Sequence, residues 1–154
     1  MKNLFAGVAL VMATIFGTTN AQAQSYKTGA GLLVDFGDGT TLVGPHLKHF
    51  FSANNAGEFS VLFGGHTTTV QALYQYNKGF SGASGLMWYV GVGPAVSFYD
   101  GGSTFSVVPT AGLDYKISGA PLDLSFDWRP RMSFYDGDSD FAAGRFGLGL
   151  RFTF

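Results

Sequence analysis

From residue 26 onward the chain alternates hydrophobic and polar residues with a period of two. The pattern is clearest over 122–134. Leu122, Leu124, Phe126, Trp128, Pro130, Met132 and Phe134 share one parity, and Asp123, Ser125, Asp127, Arg129, Arg131 and Ser133 share the other. A period of two sends successive side chains to opposite faces of a strand, whereas a helical face would recur about every 3.6 residues. The C-terminus repeats the pattern, with Phe146, Leu148, Leu150, Phe152 and Phe154 set against Arg145, Gly147, Gly149, Arg151 and Thr153. The same alternation runs over 86–98 and 105–117, and in weaker form over 26–36, 42–51, 58–66 and 70–77. Eight antiparallel strands are predicted. Turn-forming residues separate them, among them Gly37-Asp38-Gly39, Asp100-Gly101-Gly102 and Asp136-Gly137-Asp138.

Charge follows the same parity. Lys27, Asp35, Lys48, Glu58, Asp114, Lys116, Asp123, Asp127, Arg129, Arg131, Arg145 and Arg151 fall on the polar parity, while Asp38, Lys78, Asp100, Asp136, Asp138 and Asp140 fall in connections. Such segregation suits either a soluble barrel or sandwich with its apolar face inward or a membrane barrel with its apolar face toward lipid. The polar face is rich in glycine and holds few charges, as a crowded lumen would. The apolar face carries aromatic residues to the strand ends, including Phe36, Phe51, Phe98, Phe105, Phe134 and Phe154. The expected fold is therefore all-β, an eight-stranded antiparallel up-and-down transmembrane β-barrel. Eight strands enclose an interior that side chains just fill, so the residues on the polar parity are expected to form a paired ionic network inside it.

The N-terminus has a separate signature. Met1-Lys2-Asn3 is a short cationic segment, residues 4–16 are almost wholly apolar, and Ala21-Gln22-Ala23 is a small-residue cleavage site. These features predict a cleaved secretory signal peptide over 1–23 and a barrel over 24–154. Hydrophobic residues make up 46% of the chain and charged residues 12%, which is incompatible with disorder. No later run approaches the roughly 18 apolar residues of a spanning helix. A net charge of −1 without a basic cluster leaves no footprint for nucleic acid. Cysteine is absent, so disulfides contribute nothing.

Pro45, Pro94, Pro109 and Pro130 lie inside predicted strands, and each should delete one ladder bond or mark a bulge. If 98 pairs with 105 and 117 with 122, then Pro94 faces Pro109 and Pro109 faces Pro130.

The segments SGLMWYVGVGPAVSF (84–98), GLDYKISGAPLDLSFDWRPRMSF (112–134) and GLGLRFTF (147–154) resemble the small exported outer-membrane β-barrel proteins common in Bacteroidota. That resemblance implies a bacterial outer-membrane location and contact with outer-membrane lipid and lipopolysaccharide. It assigns no reaction. In outer-membrane barrels generally, a last strand with alternate apolar residues up to a terminal Phe is read by the barrel-insertion machinery. Phe146, Phe152 and Phe154 match that signal.

Groups able to carry chemistry are few. His46, His49 and His66 are the histidines, and His66 with Thr67 or Ser60 is the nearest approach to a catalytic pair such as lipid A-modifying barrels use. A structural role for the histidines fits better. Asp100, Asp136, Asp138 and Asp140 concentrate acid in two loops that begin Tyr-Asp-Gly, where divalent cations bridging lipopolysaccharide could bind. No catalytic residue, metal site or cofactor is assigned. The expected function is a monomeric outer-membrane barrel with a plugged polar lumen and an envelope-structural or surface-binding role. The alternatives are a lipid A-modifying enzyme and a narrow channel.

Overall fold

The structure, a computed structural model, describes residues 26–154. The predicted signal peptide therefore lies outside the described residues. Ten strands form: β1 (Thr28–Gly37), β2 (Thr40–Phe50), β3 (Asn55–Gly64), β4 (Thr67–Phe80), β5 (Ala83–Tyr99), β6 (Gly102–Lys116), β7 (Leu122–Trp128), β8 (Arg131–Tyr135), β9 (Asp138–Ala142) and β10 (Arg145–Thr153). They make eight staves, because β7 and β8 are two parts of one stave and β9 and β10 two parts of the next. Each strand pairs antiparallel with its neighbours, and β10 pairs with β1 to close the barrel.

The pairing fixes the geometry of the barrel. Lys27 and Phe50 are joined by a backbone bond, and Phe50 leads across direct partners through Ala56, Gln75 and Gly91 to Thr110. The register of β6 against β7 continues this line to Arg129, which bonds to Arg145, and Arg145 faces Gly37 of β1. The circuit returns 37 − 27 = 10 residues along β1, a shear number of ten. With strands about 4.8 Å apart and a rise of about 3.3 Å per residue, that shear tilts the strands by about 40°.

The predicted alternation sorts the faces. Leu32, Val43, Phe59, Tyr74, Val92, Phe126, Leu148 and Leu150 are exposed on the outside, while Arg129, Arg151, Lys48, Gln71 and Gln75 are among the largest fully buried side chains. Burial is thus reversed relative to a barrel built around an apolar core. Outward aromatic rings stack across staves, Phe126 on Phe146 at 5.9 Å and Phe105 on Phe134 at 6.3 Å between ring centroids.

Turn chemistry sets the register. Asp38 (φ 49°) and Gly39 (φ 80°) both take the left-handed conformation that a two-residue hairpin favours, and Gly37 faces Thr40 across them. The β5–β6 hairpin is tighter than the strand ends read from sequence. Tyr99 and Gly102 still pair around Asp100-Gly101, so Pro94 faces Val107 and Val92 faces Pro109. The Pro94–Pro109 pairing is therefore displaced by two residues, whereas the β6–β7 and β6–β8 pairs follow the expected register, with Ala111 opposite Trp128 and Phe105 opposite Phe134.

The prolines act as local defects. At Pro45 the β2–β3 ladder skips from Val43↔Phe63 to His46↔Ser60, while Pro45 still pairs with Leu32 on its other side. The β4–β5 ladder is likewise interrupted beside Pro94, between Gln71↔Ala95 and Tyr74↔Val92, while Pro94 pairs with Val107. Pro109 and Pro130 share one gap, so the stave read as continuous over 122–134 breaks at Arg129-Pro130. A strand residue directs its N–H toward one neighbour only, so losing it spares the other ladder. Closure is incomplete in one place. β9 pairs with β8 alone and runs past the β1–β2 turn as a free edge.

Candidate functional site

The lumen gathers buried ionisable side chains, and they form three groups along the barrel. The first lies near Tyr26 and Phe154. Arg151 of β10 donates to Asp123 of β7 through Nε at 2.9 Å and Nη2 at 2.6 Å, and to Asp114 of β6 at 3.0 Å. Lys48 of β2 donates to the same Asp114 oxygen at 3.0 Å and to Asn77 of β4 at 2.7 Å. Tyr26 closes the cluster by donating its hydroxyl to Asp114 at 2.6 Å. The Lys48 ammonium also lies 4.4 Å from the centre of the Tyr89 ring, a cation–π contact.

The second group is central. Arg129 sits at the break between β7 and β8 and grips Asp127 with two parallel bonds of 2.6 Å, from Nε and from Nη2. Nη2 also reaches Glu58 of β3 at 3.2 Å. The Tyr89 hydroxyl donates to Asp127, and Gln75 donates to Glu58 at 2.8 Å. Glycine makes room for this fork, since a Cβ on Gly147 would collide with the Arg129 guanidinium and the Asp127 carboxylate.

The third group lies toward the end that carries the two-residue turns. Asp35 of β1 accepts from Arg145 Nε at 3.0 Å and from Arg131 Nη2 at 3.1 Å. Arg145 also donates to the Gly37 carbonyl at 2.9 Å. Beside these charges Leu33, Leu42 and Leu62 form a fully enclosed apolar cluster.

The network differs from the sequence expectation at its edges. The alternation over 26–36 would put Lys27 in the lumen and Tyr26 on the outer face, but Lys27 is exposed and Tyr26 is buried. The alternation slips just before β1 begins at Thr28. Lys116 is half-buried at the rim, where it donates to the Ile117 carbonyl at 3.0 Å and to that of Ala120. What remains inside is balanced: Lys48, Arg129, Arg131, Arg145 and Arg151 face Asp35, Glu58, Asp114, Asp123 and Asp127. A buried charge is tolerated only when paired and hydrogen-bonded, and here each has a partner.

The other candidates fall outside this network. Asp100, Asp136, Asp138 and Asp140 are all exposed at the turn end. Among the described residues no three His, Asp or Glu side chains are placed to share a metal ion. Phe146 lies at the start of the closing strand and Phe152 near its end, and Phe154, just past it, bonds through its backbone to Thr28. His66 occupies an exposed turn, and His49 shares a 2.8 Å hydrogen bond with the Thr28 hydroxyl.

Sequence reasoning paired Ser60 with the wrong histidine. Ser60 lies directly opposite His46, which is buried, and Glu58 is 3.9 Å from His46 Nδ1. These are the residue types of an acyl-transfer triad. The arrangement lacks the bond that would activate a nucleophile, since neither the Ser60 hydroxyl nor either His46 ring nitrogen has a hydrogen-bond partner. Only the β2–β3 register could have revealed this pairing, and that register depends on the 51–54 connection, which the alternation does not encode.

No protein-family model matches the chain, and no curated protein does. Among solved structures the chain is similar to a de novo designed transmembrane β-barrel, with a TM-score of 0.59 and 14% sequence identity over 88% of this chain and 100% of that one. At that identity the likeness shows the fold.

Proposed function

We propose that this protein is a small outer-membrane β-barrel of the kind found in Bacteroidota, with a closed lumen and an envelope-structural or surface-binding role rather than a catalytic one. The observation that carries the reading is the reversal of burial, with Arg129, Arg151 and Lys48 enclosed and Phe59, Leu148 and Phe126 exposed. In a bilayer such an exterior is solvated by acyl chains, and a Lys or Arg at mid-depth on it would cost about 2–4 kcal/mol. The shear and the paired ions support a plugged interior rather than a conducting one. The charge of the two ends supports an orientation. Asp38, Asp100, Asp136, Asp138 and Asp140 are exposed at the turn end, while Lys27 and Lys78 are exposed at the end holding Tyr26 and Phe154. The turn end then faces outward, toward the cation-rich lipopolysaccharide layer.

Reconstitution of the purified barrel in planar bilayers tests the closed lumen, with no steady conductance expected. Stable stepwise currents would favour the narrow channel. Lipid analysis of a deletion strain tests the non-catalytic role, with unchanged lipid A acylation expected and altered acylation favouring the enzyme.

A further inference from the structure

One stretch of the outer wall is hollow. Between β4 and β5 an open apolar groove of about 320 Å³ is lined by Val70, Ala72, Pro94, Ala95, Val96 and Phe98. Its origin is local. The β4–β5 ladder is interrupted beside Pro94, where the register sets Ala72 across from it, and these two make a floor of small side chains. At Gly93 the backbone turns so far toward β4 that an added Cβ would strike the Ala72 carbonyl. Ala95 belongs to the lumen parity, yet it lines the groove through this gap. Large rings stand around the floor. Phe59 faces Ala72 from β3, Phe105 faces Val96 from β6, Phe98 lies at one end and Tyr74 beyond the other, and all four are exposed on the outside.

The groove has an apolar length and a polar mouth. From Pro94 to Phe98 it covers about 13 Å of strand, which the strand tilt reduces to about 10 Å of depth, within the roughly 15 Å of one leaflet. Beyond Phe98 the chemistry changes. Thr68 and Ser103 flank Phe98 on the neighbouring strands, and His66 and Asp100 are exposed in the adjoining turns. A membrane lipid is divided in the same way. We propose that the groove seats one acyl chain of a zwitterionic phospholipid, with the ester region of that lipid at Thr68 and Ser103. An apolar cavity of about 150 Å³ already holds benzene, so the groove accepts a stretch of chain. Such a chain gains no hydrophobic free energy on leaving its neighbours in the bilayer. It gains dispersion contact with the wall on three sides instead of one. Charge at the mouth selects the head group. Asp100 is exposed there, and the exposed lysines among the described residues, Lys27 and Lys78, lie at the opposite end, so an ammonium finds a carboxylate while an uncompensated phosphate finds no Lys or Arg.

The proposal rests on the reading that the outer wall faces lipid and is tested apart from it. The full barrel is placed in vesicles of phosphatidylcholine and phosphatidylethanolamine containing a phosphatidylcholine with a photoactivatable diazirine along one acyl chain, and labelled residues are mapped by mass spectrometry. Labelling should concentrate several-fold on Ala72, Pro94 and Val96 relative to Leu148 and Leu150, which are exposed on the opposite side of the barrel. Ala72→Phe, or Val70→Phe where the first variant does not fold, should abolish that excess and leave Leu148 and Leu150 labelled. A phosphatidylglycerol probe with the same diazirine should show several-fold less of it. Even labelling over the whole wall, an excess that survives the substitution, or an equal excess with the anionic probe would overturn the proposal, as would barrels cross-linked in pairs through this face with no lipid attached. An outer wall that takes up no label anywhere would instead refute the lipid-facing wall.

Discussion

Two thirds of one lumen solve the same problem differently. Near Tyr26 and Phe154, Arg151, Lys48, Asp114, Asp123 and Tyr26 bond directly to one another, with side chains drawn from β2, β6, β7, β10 and the residues just before β1, and only the Oδ1 atoms of the two aspartates are left without a partner. In the middle, the Arg129–Asp127 fork is equally tight, yet His46, Ser60 and Gln71 beside it have no protein partner. The first region ties strands together through charge. The second leaves side chains beside its ion pairs unbonded. Substitutions in the two regions should therefore have different effects.

The largest effect is expected in the sealed region. Arg151→Met leaves Asp114 and Asp123 buried without their guanidinium, and breaking a buried pair from one side costs about 3–5 kcal/mol. Equilibrium unfolding in urea with lipid vesicles measures this. A loss below about 1 kcal/mol would mean that Lys48 alone satisfies both carboxylates. Gly147→Val comes next, because its side chain must displace Arg129 from Asp127, and overpacking of this kind costs about 1–3 kcal/mol. Gln71→Leu should shift stability by less than about 1 kcal/mol in either direction, since it replaces an amide that bonds to no protein group. A loss as large as that of Gly147→Val would show that Gln71 is tied into the network. Lys27→Ala should leave the unfolding midpoint unchanged, because Lys27 is exposed and outside the network.

Much of this contrast was legible in the chain. Strict alternation over 122–134 and 145–154 identified the strands, their faces and the charges that would meet inside, because in a closed barrel parity alone decides which side of the wall a residue occupies. Three features were not legible. The β5–β6 register depended on whether Tyr99 and Gly102 would still pair around Asp100-Gly101, which alternation does not encode. The slip at Tyr26 occurs before the first regular strand, where no ladder enforces parity. The His46–Ser60 pairing depends on the offset between two strands joined by 51–54, and neither strand states that offset.

The central claim is that the apolar wall faces lipid and the charges face inward. Trp128, 45% exposed on that wall, and Trp88, on the same outward parity, are the tryptophans that report on it. Fluorescence quenching in vesicles made with lipids brominated along the acyl chain tests the claim most directly. Strong quenching of both tryptophans, and of each alone after Trp→Phe replacement of the other, is the expected result. Emission unaffected by brominated lipid but quenched by aqueous iodide would contradict it.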